Sequence, residues 1–69
     1  LGNTEKALDY AKRAYAVAPD NPSVMDTYGW LLVQSGGDRA KALSLLRGAA
    51  AKAPANQTIR NHLAQAQKG

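Results

Sequence analysis

An internal repeat of 35 residues is the feature that most restricts what this chain can fold into. Residues 2–19 align with residues 37–54 without a gap. Units that recur every 20–50 residues or so form stacked arrays, in which no unit buries its apolar face without its neighbours. The repeat therefore predicts an array of helical hairpins. The coinciding residues are Gly2/Gly37, Lys6/Lys41, Ala7/Ala42, Leu8/Leu43, Ala14/Ala49, Ala16/Ala51, Ala18/Ala53 and Pro19/Pro54.

Capping residues divide each unit into helices. Asn21 is suited to an N-cap with Pro22 at the first helical position, and Asp38 and Asn56 are suited to the same capping role. The Gly-Gly pair in "QSGG" and the prolines after "AVA" and "AKA" end helices. Gly48 would lie inside a helix, where it costs about 1 kcal/mol relative to alanine and so suggests a close helix crossing. The sequence predicts an all-α chain of four antiparallel helices, at about 3–18, 22–35, 38–53 and 57–68.

Composition and charge limit the class of protein. The 69 residues suffice for one small domain. The sequence has no cysteine, hence neither a disulfide nor a thiolate metal site, and its short apolar runs predict no membrane span. All five acidic residues precede position 39, and six of the nine basic residues follow position 38. This asymmetry could favour an anionic partner or head-to-tail self-association, although a solvated basic face is the commoner explanation.

The residue pattern resembles the tetratricopeptide repeat (TPR) family. The matching positions are Met25-x2-Tyr28-Gly29-x2-Leu32, followed by Ala42-x3-Leu46, Ala49 and Pro54. The resemblance implies that 1–69 is a single TPR-type solenoid fragment, with 1–19 as helix B of a preceding repeat, 20–54 as a complete repeat and 55–69 as a C-terminal capping helix. Two departures stand out. Met25 occupies the usual aromatic position, and one extra residue in "QSGG" lengthens the period from about 34 to 35 residues.

The segment "NPSVMDTYGWLLVQSGG" is similar, more narrowly, to repeats of bacterial TPR proteins of exopolysaccharide export, including lipoproteins of the PEP-CTERM sorting system. That similarity implies a periplasmic or envelope setting. No signal peptide pattern is visible from Leu1 onward. Because the sequence does not begin with methionine, we expect it to be a fragment, and the polarity of its last helix, described below, predicts that it comes from the C-terminal end of a longer array.

Trp30 is predicted to lie outside the hairpin core. At 100° per residue from Met25, Trp30 falls near 140° and Asp26 near 100°, on the polar side of the helix. In the TPR family this side of helix A lines a concave groove that binds peptides or partner helices. The resemblance therefore implies a non-catalytic protein–protein interaction module. Its candidate groove residues are Ser23, Asp26, Thr27, Trp30, Gln34, Thr58, Asn61, His62 and Gln65. Alternatively, Trp30 lies flat over a neighbouring helix A as part of the packing.

The groove residues also indicate what the partner carries. TPR domains that bind a C-terminal carboxylate use Lys, Asn and Arg in the groove, whereas the corresponding positions here hold Asp26, Trp30, Asn61 and Gln65. A carboxylate clamp is therefore not supported. Asp26 beside Trp30 favours a neutral or basic protein segment, with Asp26 available to pair with a lysine or arginine.

Catalysis, cofactors and nucleic-acid binding have little support in the sequence. His62 is the only histidine, and Ser23, Asp26 and Tyr28 do not converge on it as a catalytic set. One histidine without cysteine or a carboxylate pair does not fill a tetrahedral metal site. The basic residues of the C-terminal half lack interleaved aromatics, so nucleic acid is not an expected partner. We predict no enzyme activity and no cofactor.

The two ends of the array differ in polarity. In the last helix Arg60 and Gln67 replace the apolar Met25 and Leu32, as a capping helix requires. The first helix instead has an apolar face that would lack a covering helix and would promote homo-oligomers. That face consists of Ala7, Tyr10, Ala11 and Ala14. A structural or homotypic assembly element of a longer TPR scaffold is therefore the alternative to a partner-binding module.

Overall fold

The fold consists of four α-helices. The computed structural model describes residues 2–68, and within this range it contains no β-strand. The helices are α1 (Gly2–Val17), α2 (Pro22–Ser35), α3 (Arg39–Lys52) and α4 (Gln57–Lys68). The all-α prediction is confirmed, and every helix boundary lies within one residue of the predicted position.

Side chains placed before three of the helices cap their first turns. Asn21 Oδ1 accepts hydrogen bonds from the backbone N–H groups of Ser23 and Val24, at 2.9 and 3.3 Å. Asp38 accepts from the N–H of Lys41 at 3.0 Å, and Asn56 accepts from the N–H of Ile59 at 3.0 Å. These bonds satisfy donors that a helix N-terminus leaves unpaired. The three predicted N-caps are therefore confirmed, and Asp38 lies just outside α3 because it has the capping role.

A left-handed glycine ends α2 and directs the chain into α3. Gly36 has φ of 73°, a conformation that side chains other than glycine rarely adopt. Its N–H donates to the carbonyl of Val33 at 3.2 Å, and the N–H of Gly37 donates to the carbonyl of Leu32 at 2.9 Å. This pair of bonds is a Schellman motif. The "QSGG" turn is thus a helix stop followed at once by the Asp38 cap.

Helices α2 and α3 form an antiparallel hairpin at the centre of the molecule. A Cβ placed on Gly29 would lie 3.0 Å from Leu46 Cγ and 3.1 Å from the carbonyl oxygen of Ala42. A Cβ on Gly48 would lie 2.5 Å from Met25 Cε. The helix backbones therefore approach closely at Gly29, whereas the space beside Gly48 is filled by the end of the Met25 side chain; the close crossing expected at Gly48 lies at Gly29 instead.

The core lies along this hairpin and extends to both neighbouring helices. Helix α1 packs on α2, α4 packs on α3, and α2 also contacts α4. The Arg39 guanidinium donates to the carbonyl of Ala66 and so joins the start of α3 to the end of α4. This arrangement leaves one side of α2 facing α4 and the other facing α1. The buried apolar residues are Ala11, Met25, Tyr28, Leu32, Ala42, Leu45, Leu46, Ala49, Ile59 and Ala66.

Candidate partner-binding surface

Trp30 of α2 stacks on His62 of α4. The ring centroids are 4.2 Å apart and the planes differ by 9°. Both residues are half-buried, so the paired rings keep an exposed part. The Trp30 ring lies flat on a neighbouring helix, which is the packing arrangement that we named as the alternative to ligand contact. The contact joins two helices that are not consecutive in the chain.

Asp26 completes this contact from one turn earlier in α2. Its Oδ1 lies 2.9 Å from His62 Nδ1, and because a carboxylate only accepts hydrogen bonds, Nδ1 is the donor. The side chains of Asp26 and His62 are 12% and 23% exposed. The contact is an ion pair only when His62 is protonated. We refer to Asp26, Trp30 and His62 as the Trp30 cluster.

The position of Asp26 differs from the sequence-based expectation. We expected its carboxylate on an open polar face, available to a lysine or arginine of a partner. Instead the residue is buried, at 8% exposure, and its carboxylate binds His62. The physical reason is that α4 packs on this side of α2. Helix periodicity gives the angular position of a residue around its own helix, but it does not show which other helix packs against that position. His62 thus contributes to helix packing as well as to the surface.

Two of the other predicted groove residues belong to a different surface. Ser23 and Thr27 line a separate groove beside α1. Asn61 is exposed and accepts a hydrogen bond at 2.9 Å from the Gln57 amide of its own helix. The exposed members of the predicted set are Ser23, Thr27, Gln34, Thr58, Asn61 and Gln65.

The groove between α1 and α2 was only partly included in the predicted site, which contained Ser23 and Thr27 but no residue of α1. Its volume is about 230 Å³, and Tyr10 at its edge is 75% exposed. The predicted open face of α1 is only partly correct, because Ala11 is buried against α2 while Ala7 and Ala14 are half-buried. The repeat contained a signal for this groove, because it aligns Thr27 with His62. His62 contacts the equivalent helix of the preceding unit, so Thr27 faces the position where such a helix would lie. We call it the α1/α2 groove, lined by Tyr10, Ala11, Ala14, Ser23, Val24 and Thr27.

His62→Ala is expected to lower the free energy of unfolding by about 1–3 kcal/mol, because it leaves the buried Asp26 carboxylate without its donor. It also removes the ring beneath Trp30. Urea unfolding followed by circular dichroism and by Trp30 fluorescence measures the change, since Trp30 is the only tryptophan.

Two control variants separate the roles of His62. His62→Gln keeps a hydrogen-bond donor without the ring, and His62→Phe keeps the ring without the donor. Both variants are expected to have a free energy of unfolding between that of the wild type and that of His62→Ala. A His62→Ala variant within about 0.5 kcal/mol of the wild type would show that the Trp30 cluster does not stabilise the contact between α2 and α4.

Among residues 2–68, none of the four helices combines the length and the apolar character that crossing a bilayer requires. The same part of the chain has no group of three His, Asp or Glu residues close enough together to hold a metal ion.

Comparisons with known proteins do not assign the chain to a family. No protein-family model, no curated protein and no solved structure matches it significantly.

Proposed function

We propose that this chain is a non-catalytic protein-interaction module built as a TPR-type solenoid. The 35-residue repeat and the antiparallel hairpins of the fold support the architecture. The observation that carries the binding function is the stacked Trp30–His62 pair, which bridges α2 and α4 and keeps an exposed part. A rigid aromatic surface of this kind buries much area on binding and loses little rotamer entropy.

The partner is a neutral protein segment. Because the Asp26 side chain is only 12% exposed and already accepts a hydrogen bond from His62, its carboxylate offers little surface to a basic side chain of the partner. The exposed amides of Gln34 and Gln65 are instead suited to hydrogen bonds with an extended backbone, while the two rings take an apolar side chain. This combination of an aromatic centre and neutral polar surroundings is common in protein interfaces.

Trp30→Ala tests this function. Peptides are first selected for binding to the wild-type chain from a displayed random library. We expect Trp30→Ala to weaken the selected peptides by about tenfold or more, the effect typical of a central aromatic residue in an interface. Trp30→Phe retains an aromatic ring and should lose less affinity for the selected peptides. Binding is measured by calorimetry, and circular dichroism verifies that each variant is folded.

The control is Ser44→Ala, an exposed position on α3 that is expected to leave peptide binding unchanged. If the selected peptides bind Trp30→Ala as tightly as they bind the wild type, the Trp30 cluster is a packing element and the proposed binding surface is wrong.

A structural or homotypic assembly element is the second candidate function. It is favoured by Tyr10 and Val17, two large apolar residues of α1 that are 75% and 86% exposed. Exposed apolar residues on one helix face suit contact with another chain. The two functions use different surfaces, so one chain can have both.

A further inference from the structure

Helix α1 exposes a face whose counterpart in the repeat is buried. A shift of 35 residues places Tyr10 at Leu45 and Ala14 at Ala49. Leu45 is 5% exposed and Ala49 is fully buried, because α2 lies on that face of α3. Tyr10 is 75% exposed. The repeat thus shows what kind of element fits α1, namely a helix related to α2.

The counterpart of α2 within this chain is α4. Residues 57–68 align with residues 22–33 under the same shift. We propose that α4 of one copy docks in the α1/α2 groove of a second copy, as α2 docks on α3 and α4 within one copy, so that copies associate head to tail. This interface does not depend on partner binding at the Trp30 cluster.

The small residues at the crossing match this docking. Within one copy, a Cβ on Gly29 would lie 3.0 Å from Leu46 Cγ, and glycine avoids this close contact. The counterpart of Gly29 is Ala64, which adds a Cβ, and the counterpart of Leu46 is Ala11, which has no Cγ. The missing Cγ relieves one of the three close contacts at this position. The other two have counterparts in the carbonyl oxygen of Ala7 and the Cβ of Tyr10, so α4 must lie a few tenths of an ångström further from α1 than α2 lies from α3.

Polar residues along the groove are also matched. Within one copy, Asp26 and Trp30 contact His62. The counterparts are Asn61 and Gln65 on α4, and Thr27 in the groove of the second copy. The acid, the indole and the imidazole are thus replaced by two amides and a hydroxyl. Amides and hydroxyls can both donate and accept hydrogen bonds, so the pairing needs no buried charge.

Net charge favours the same head-to-tail arrangement, because residues 1–38 contain five acidic and three basic residues, whereas residues 39–69 contain six basic residues and no acidic one. Helix α4 contains Arg60 and Lys68 and no acidic residue. Arg60 replaces Met25, which lies against Gly48, and the counterpart of Gly48 is Arg13. Arg60 and Arg13 therefore meet at this crossing, where Asp9, which pairs with Arg13 at 3.1 Å, offsets one of the two positive charges. An exposed interface of this kind weakens as salt rises.

The contact joins different faces of the two copies, so further copies add in the same direction unless the assembly closes into a ring. Sedimentation velocity of the 69-residue chain is expected to show an average mass that rises beyond that of a dimer as protein concentration increases, and that falls as the salt concentration increases.

Tyr10→Glu and Ala64→Glu should each reduce self-association at least tenfold. Both residues are exposed, so neither change removes a core contact. Ser44→Glu is the matched control and should associate like the wild type.

A mixture of the two variants gives the sharpest test. The Tyr10→Glu chain keeps an intact α4, and the Ala64→Glu chain keeps an intact groove, so together they should form a 1:1 heterodimer that does not grow. A wild-type chain that stays monomeric up to about 1 mM, a weak affinity for a specific contact, would overturn the proposal and favour α4 as a cap. Loss of association in Tyr10→Glu but not in Ala64→Glu would overturn it in favour of a symmetric α1–α1 dimer. Peptide binding at Trp30 is measured separately and does not depend on either result.

Discussion

Leu46→Ala is expected to lower the free energy of unfolding by about 3–5 kcal/mol, the upper range for a leucine in a close-packed core. Leu46 is fully buried and is among the largest buried side chains of the fold. A single core in a domain of this size supplies only about 3–5 kcal/mol of net stability. The variant is therefore expected to be largely unfolded at 25 °C in the absence of denaturant.

The cavity left by Leu46 has little opportunity to collapse. Gly29 is already in close contact with α3, so the backbone of α2 cannot move much closer. The loss therefore includes a term for the residual cavity as well as the lost transfer free energy.

Urea unfolding at low protein concentration measures the effect of Leu46→Ala. The measurement is best made in the Tyr10→Glu background, because self-association would make the apparent stability depend on concentration. Leu43→Ala is the matched control, since Leu43 is on the same helix and only half-buried. Equal losses in the two variants would show that α3 does not pack against α2 through Leu46 as described.

The helices were predictable because their signals are local. Asn21, Asp38 and Asn56 bond to backbone groups no more than three residues away, so the sequence next to each cap was sufficient. The core face of α2 followed from helix periodicity for the same reason. Met25, Tyr28 and Leu32 fall on one side of the helix, and all three are buried.

The candidate site was less predictable because it depends on how the hairpins stack. Periodicity correctly placed Asp26 and Trp30 on one side of α2, away from α3. It could not show that His62, 36 residues after Asp26, would cover that side. The position of α4 over α2 depends on the path of the whole chain through two turns, which no short segment determines. The polar groove expected from the sequence is therefore divided in the structure between a packed cluster and exposed side chains.

Gly29→Ala is expected to lower the free energy of unfolding by about 1–2 kcal/mol. The new methyl group would gain about 1 kcal/mol of helix propensity, but it would lie 3.1 Å from the carbonyl oxygen of Ala42 and from Leu45 Cβ. Neither atom can rotate away, so the helices must separate, and overpacking of this kind costs about 1–3 kcal/mol.

Gly48→Ala provides the matched control, because it places a methyl group at the same helix crossing on the other helix. Outside its own helix, the atoms of residues 2–68 within 4 Å of that methyl group are Cε and Sδ of Met25, the end of a flexible side chain that can adopt another rotamer. Gly48→Ala should therefore be neutral or stabilising by up to about 1 kcal/mol. Thermal unfolding by circular dichroism compares the two variants. A Gly48→Ala variant as unstable as Gly29→Ala would mean that both glycines are required at the crossing. We expect Gly29→Ala to be the less stable of the two variants, because only Gly29 faces the backbone of the neighbouring helix. This backbone contact sets the distance between α2 and α3.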